Sequence, residues 1–482
     1  MQTAWGPSAR SAIRPPAPHI HAAPPKTLAL LKALWSNPIE AWTERYFTEP
    51  VVLTKVMAWD LAVVSDPAAI RRVLVDNADN YRKDPLQKRM LSALANGLLA
   101  AEGGQWQFQR RVLAPLFTRR SVRDFVPGTL RAVDALVARW RCHAGEVIDV
   151  AAEARLLTLD VLERTIFSDG LGSDAEDIRN AMAVYFDRIG RIDPLDVLGV
   201  PAVVPRLGRW RAAPAFRLFD RAVDAMIAQR RRRLSADPAH APHDMLTRLL
   251  TARDAESGRA LSEAEVRANI ITLIAAGHEA SADALAWTLY LLSVSAEWRT
   301  LVVDEAERAL RGADETTLDR LPIARAAVEE AMRLYPPLAA ISRAAGAADT
   351  LAGAAIRPGT LIVIAPYVVH RHRRLWREPD VFDPARFLGR AREGIDRFAY
   401  LPFGGGPRGC IGTVFALQET VLAAAAIARN FDLAVAPGHK VWPVHRITLR
   451  PRGGLPMIVR RREPTTRRRG SLERVPMAVG AP

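Results

Sequence analysis

Leu401-Pro-Phe-Gly-Gly-Gly-Pro-Arg-Gly-Cys-Ile-Gly412 is the stretch on which the reading of the fold turns. Two prolines and four glycines before Cys410 exclude a helix and a regular strand, and permit backbone pressed against something flat with no Cβ in the way. The following residues, Thr413 to Asn430 (TVFALQETVLAAAAIARN), lack Gly and Pro and predict an Ala- and Leu-rich buried helix. Cys410 is therefore expected at a helix N-terminus, two residues from Arg408, a setting that lowers a thiol pKa and favours the metal-binding thiolate. With no second Cys or His nearby, zinc and iron–sulfur ligation lack partners. A cofactor needing one axial sulfur remains, and haem is the natural one. On this loop alone, a structural turn with an inert buried Cys stays open. Gly404, Gly406 and Gly409 also spell G-x-G-x-x-G, but near the C-terminus, interrupted by Pro407 and without further βα repeats, so a dinucleotide site is set aside.

Length alone, 482 residues, suggests about three domains. Pro-free apolar stretches running through most of the chain equally allow one large mixed domain. Two cysteines, Cys142 and Cys410, exclude a disulfide framework and suit a reducing cytoplasm, the expected localisation. Cys142, in Arg-Trp-Arg-Cys-His, has no motif around it and is read as structural. The net charge is +15, carried almost entirely by arginine. The arginines are scattered apart from Arg230 to Arg233, Arg460 to Arg462 and Arg467 to Arg469, and no helix-turn-helix, zinc-finger or RNA-binding signature accompanies them. No nucleic-acid partner is expected. The charge reflects either base bias in the genome or a docking face for an acidic protein. The early apolar run Leu28 to Trp35 is interrupted by Lys32 and far short of the ~20 residues of a membrane span. No signal peptide or span is expected.

Residues 1–26 are Pro-, Ala- and His-rich and are expected to be disordered or loosely packed, 27–462 to form a single domain, and 463–482 a basic tail. Val51 to Val64 predicts a β-ribbon with its turn near Trp59-Asp60, followed by a short helix over Pro67 to Asp76. Helices are expected near 127–142, 151–168, 174–190, 213–234 and 243–251, with a long apolar loop over Ile192 to Trp210 that reads as a functional lid. Short strands are expected near 352–356, 361–364, 446–449 and 456–460.

Leu261 to Leu292 lacks proline, has Gly277 as its one glycine, and opens with Ser262 as N-cap and Glu265 at the capping-box position. A helix of that length runs ~48 Å and crosses a whole domain. It is apolar nearly all round, yet carries Gly277-His278-Glu279 at its centre. A carboxylate inside a buried helix is costly unless paired or used.

Phe403-Gly-Gly-Gly-Pro-Arg408-Gly-Cys410-Ile-Gly412 resembles the haem-binding loop of the cytochrome P450 family. Four further segments follow the family's order. Ala276-Gly277-His278-Glu279-Ala280-Ser281 resembles its oxygen-side segment A-G-x-[DE]-T-[TS], in which the glycine leaves room over the haem and the acid delivers protons. Ala280 departs by standing where the family has threonine. Glu330 and Arg333 resemble the E-x-x-R pair, and Arg386 in Phe382-Asp-Pro-Ala-Arg386-Phe387 would complete a buried ion-pair triad bracing the haem loop. Alone, the pair would be a routine surface contact. Trp106 and Arg110 resemble the W-x-x-x-R pair that holds a haem propionate, with Arg343 and Arg408 as further propionate partners.

The resemblance implies a mainly α fold with small β-sheets (α+β), a long central helix lying over a haem b (iron protoporphyrin IX) that is held by the Cys loop. It implies a monooxygenase inserting one oxygen atom into a hydrophobic small molecule such as a terpenoid, fatty acid or polyketide. The pocket would draw on Leu86 to Leu98, Met182 to Val204, Leu338 to Ile341 and Pro443 to Ile447. The remainder after Cys410 is too short for a flavin reductase, so a ferredoxin-type donor with its NAD(P)H reductase is the expected partner. Ala280 keeps open a haem-thiolate enzyme of another reaction type, a peroxygenase, isomerase or dehydratase. A non-catalytic haem-binding protein is the alternative of another class.

Overall fold

The computed structural model describes residues 13–23, 27–56, 59–91, 96–166, 168 and 207–463. The expected helix near 174–190, the lid reading up to residue 206, the pocket stretch Met182 to Val204 and the tail from 464 lie outside the described residues.

Helices dominate and small sheets flank them. Six helices position the site: α1 (Gly103–Leu113), α2 (Val126–Cys142), α3 (Val150–Ile166), α4 (Glu263–Val294), α5 (Pro322–Leu334) and α6 (Thr413–Asn430). The longest, α4, begins as its sequence dictates. The Ser262 hydroxyl accepts from the Glu265 N–H at 3.2 Å, and the Glu265 carboxylate accepts from the Ser262 N–H at 2.9 Å, a complete capping box. With apolar residues on every face, α4 is packed against α3, α5 and α6 at once and forms the axis of the main core. Trp287 on α4 stacks on Tyr335 just beyond α5, with ring centroids 3.8 Å apart.

The largest sheet has five strands in the order β1-β2-β5-β4-β3, where β1 is Val51–Val56, β2 Trp59–Val64, β3 Tyr81–Arg82, β4 Ile341–Ala345 and β5 Leu361–Ile364. Trp59 and Asp60 pair with Val56 and Lys55 inside the antiparallel ladder, so they are strand residues and not the turn expected there. The strand expected near 446–449 resolves into two, Pro443–His445 and Leu449–Pro451, paired antiparallel with the reversal between them. The other strands lie close to their expected places, and Pro456–Arg461 joins Phe431–Val435 and Val147–Asp149 in a second sheet.

Part of the Pro-rich N-terminal stretch departs from loose packing. The Phe382 N–H donates to Ile13 O at 3.0 Å, the Tyr335 hydroxyl donates to Pro16 O at 2.8 Å, and the Glu44 N–H donates to His21 O at 3.0 Å. Proline removes donors from the segment but leaves its carbonyls, which the body's own N–H and O–H groups find. Residues 13–23 are thereby strapped onto the surface beside α5.

Candidate active site

The loop before α6 is closed by its own backbone. The Cys410 N–H donates to Phe403 O at 2.8 Å, the Gly404 N–H to Leu401 O at 3.1 Å, and the Gly409 N–H to Gly406 O at 3.0 Å. Gly406 has φ +69, and a Cβ there would lie 2.0 Å from Leu74 O, so glycine is required twice over. Gly412 is the N-cap of α6, and the Thr413 hydroxyl donates to Cys410 O at 3.0 Å.

Cys410 is accessible to a water-sized probe, yet protein crowds its thiol, and burial pushes it above its ordinary value. The Gly412 N–H, the Thr413 hydroxyl and Arg110 act in the opposite direction without overcoming burial. This corrects the lowered thiol expected from the helix start alone: in the protein by itself, desolvation outweighs the donors there.

Four cations surround this loop. Arg110, on α1, donates to Gly409 O at 3.0 Å and ties that helix to the loop. Arg408 donates to Ala101 O at 3.1 Å, with its guanidinium 4.4 Å from the Trp106 ring centroid. Arg343, on β4, donates to Ser342 O at 2.7 Å. Lys83, which the sequence did not single out, donates to Leu99 O at 2.6 Å and to Ala100 O and Ala101 O at 3.0 Å. Burial lowers the pKa of all four, that of Lys83 to about 8, and Arg408 adds repulsion at Lys83 and Arg343. Among the described residues, none of the four has a carboxylate within ion-pair distance, and their hydrogen bonds run to backbone carbonyls.

Glu330, Arg333 and Arg386 come together as a buried cluster, not as a surface pair. Arg333 holds Glu330 in a fork at 2.6 and 2.8 Å, both side chains are fully buried, and Arg386 Nε lies 3.5 Å from Glu330 Oε1. Arg333 also donates to His370 O, Pro379 O and Val381 O at 2.7–3.0 Å, satisfying the guanidinium. His370, absent from the sequence reading, carries the bracing onward. Its Nδ1 lies 3.2 Å from Arg333 O, and its Nε2 accepts from the Leu401 N–H at 2.7 Å. Burial depresses its pKa to about 3, so the ring is neutral, with Nδ1–H as donor and Nε2 as acceptor. A continuous path thus runs from the α5 ion pair to the first residue of the Cys loop.

Along α4, Leu273, Ala276, Gly277 and Ala280 retain accessibility where most of the neighbouring helix is buried, a stripe at helical spacing. Glu279 is half-buried beside it. A Cβ on Gly277 would lie 3.3 Å from a terminal methyl of Leu162 on α3, a tight contact between the two helices. Ser281 is buried on another face, beside Glu419 of α6, in a small internal space also lined by Thr158 and Leu285. Its hydroxyl approaches the Glu419 carboxyl without closing a hydrogen bond of good geometry, and burial pushes that carboxyl up to about 8. Asp283, one turn beyond Glu279, is likewise pushed up by burial, to about 7. His278 meets the Thr158 hydroxyl at 3.1 Å and is held neutral, its pKa lowered to about 4. Asp283 and Glu419 were missed, although the signal that marked Glu279, an acid inside an apolar helix, was present for both.

The comparisons agree with this geometry. A sequence model of the family described as "Cytochrome P450" matches residues 29–455. A cyclooctat-9-en-7-ol 5-monooxygenase from Streptomyces melanosporofaciens is 30% identical over 437 residues, 89% of this chain and 93% of that protein. A pentalenene oxygenase from Streptomyces avermitilis is 30% identical over 388 residues, 80% of this chain and 84% of that protein. Among solved structures, the cytochrome P450DA haem domain superposes with a TM-score of 0.81 at 24% identity, covering 94% of this chain and 99% of that one.

Proposed function

The chain belongs to the cytochrome P450 family of monooxygenases, and we propose that it oxidises a hydrophobic, already hydroxylated terpenoid-like molecule with electrons from a ferredoxin-type protein. The observation that carries the haem assignment is the ring of part-buried cations. Arg110, Arg343, Arg408 and Lys83 lie around a single-sulfur loop with only neutral carbonyls to satisfy them. Two propionate carboxylates are the anions such a ring lacks, so the residues fit haem b. Cys410 would hold the haem through its thiolate, and Trp106 would support a propionate contact through Arg408. When bound, the haem supplies reductive activation of dioxygen and oxygen insertion.

The residues of the chain do the rest. The Gly412 N–H, which draws the thiol pKa down against burial, would moderate the donation of the sulfur. The accessible stripe at Leu273, Ala276, Gly277 and Ala280 would form the apolar wall of the substrate cleft. Glu279, beside that stripe, would hold and deliver protons. Ala280 offers no hydroxyl to order a water, and Ser281 cannot substitute. It is rotated ~100° around the helix and faces Glu419. We therefore assign the missing hydroxyl to the substrate. The relative named for cyclooctat-9-en-7-ol acts, by its name, on an alcohol, in keeping with this reading.

The net charge of +15 supports a basic docking face for an acidic ferredoxin. Turnover with a ferredoxin and its NADPH-dependent reductase tests both parts. Hydroxylated terpenoids should be oxidised with little peroxide, their hydrocarbon analogues should lose reducing equivalents as peroxide, and Ala280→Thr should reduce that loss. The rate should fall as salt screens charges beyond ~10 Å at 0.1 M. Tight coupling on a hydroxyl-free substrate, unchanged in Ala280→Thr, would contradict the substrate assignment. A salt-independent rate would contradict the docking face.

A further inference from the structure

A second cavity, of about 380 Å³, lies between the N-terminal strap and the body, lined by residues of the strap, α5 and the segment 367–380. It shares no residue with the site around Cys410. Arg371 is its unusual feature. The residue is 2% exposed, yet among the described residues it has no carboxylate within ion-pair distance. Its Nε is buried without a hydrogen-bond partner, and Nη1 makes one long contact, 3.5 Å, to Tyr367 O. The guanidinium is flanked by the Tyr367 and Tyr335 rings, with centroids at 4.1 and 5.9 Å. Aromatic faces support a cation from its flanks but offer no acceptor in its plane.

The two carboxylates lining the cavity are engaged elsewhere. Asp380 lies 2.7 Å and Glu44 3.9 Å from Arg373. Arg373 therefore answers the acids, and Arg371 remains a buried cation in the lining of the cavity. Phe47, Leu334, Ile20 and Pro18 add apolar side chains to the lining.

We propose that this cavity binds a small monocarboxylate, its carboxyl forked on Arg371 and its apolar body against Phe47 and Leu334. A carboxylate matches the planar donor pair of a guanidinium. A dianionic phosphate is disfavoured because Glu44 and Asp380 line the same space. The volume accommodates an acid of about ten non-hydrogen atoms. The strap forms the lid-side wall, so an occupant would also stitch residues 15–20 to the body.

Benzoate is the probe, titrated calorimetrically into the full-length haem-loaded protein with imidazole saturating the cleft at Cys410. The expected result is saturable, millimolar binding that imidazole does not displace. It should weaken at least tenfold in Arg371→Met and be lost in Ala17→Phe, which narrows the cavity from the strap while leaving Arg371 in place. The second variant decides the matter where the first fails to fold. Inorganic phosphate should bind more weakly than benzoate. Absence of saturable binding, which would make this a water-filled crevice only, overturns the proposal. So does equal affinity in Arg371→Met or Ala17→Phe, or a preference for phosphate.

Discussion

The Cys loop and the middle of α4 are both marked by glycine and both carry polar groups inside an apolar core, yet they are held in opposite ways. In the loop nearly every constraint has a visible partner. Gly406 clears Leu74 O, Leu401 is held by His370, and Arg333 satisfies Glu330 and three carbonyls. In the middle of α4, burial outruns pairing. Asp283 Oδ1 and both oxygens of the neighbouring Glu419 lack hydrogen bonds, and their pKa values rise accordingly. The first region is built to stay fixed. The second keeps neutral acids within a helix turn or two of Ala280, where protonation states can change. Rigidity and titratability are thus divided between the two sides of the site.

The largest test of this contrast is on the braced side. Removing one member of a fully buried ion pair leaves its partner uncompensated, so Glu330→Ala should cost about 3–5 kcal/mol of stability. Arg386→Ala should cost markedly less, because its contact is longer, 3.5 Å, and it is less buried than Arg333. Urea denaturation followed by far-UV circular dichroism reads both. Equal losses would break the idea that the Glu330–Arg333 fork is the anchor.

A smaller effect sharpens the contrast through pH. His278, His370 and His445 have folded pKa values of about 4, 3 and 4, below the unfolded value, so the unfolded state binds more protons in between. Stability from these histidines is present near neutrality and lost as pH falls from about 6.5 towards 3. Asp283 and Glu419, raised to about 7 and 8, act in reverse, since the folded state binds more protons there. Their contribution is full below about pH 4 and lost as pH rises through 7–8. Glu419→Gln should therefore flatten the alkaline limb of the stability profile and leave the acid limb alone. His370→Gln should lower stability at every pH while reducing the acid slope. An unchanged alkaline limb in Glu419→Gln would contradict a neutral carboxyl beside Ser281.

Much of this was legible in the sequence because local rules and the fold agree. The Ser262–Glu265 capping box, the Gly- and Pro-free run of α6 and the closure of the Cys loop follow from residue chemistry within a few positions. From its own residues the E-x-x-R pair was legible only as a pair, and its burial was expected from the family resemblance alone, since that burial depends on the chain near His370 and Pro379 folding over it. The lowered thiol at Cys410 was misjudged for the same reason: a helix start is local, desolvation is not. Lys83 and His370 gave no signal, because their partners lie 16 to 37 residues away in sequence. The contact of Gly277 with Leu162 could be seen only once α3 and α4 were packed.

The central claim is that Cys410 supplies the axial thiolate within a ring of cations made for haem. The most direct measurement is the absorption spectrum of the reduced, carbon-monoxide-treated protein. The account predicts the red-shifted Soret band of thiolate ligation in the native chain and in Cys142→Ser, and loss of that band in Cys410→His with haem still bound. An unaltered band in Cys410→His would contradict it.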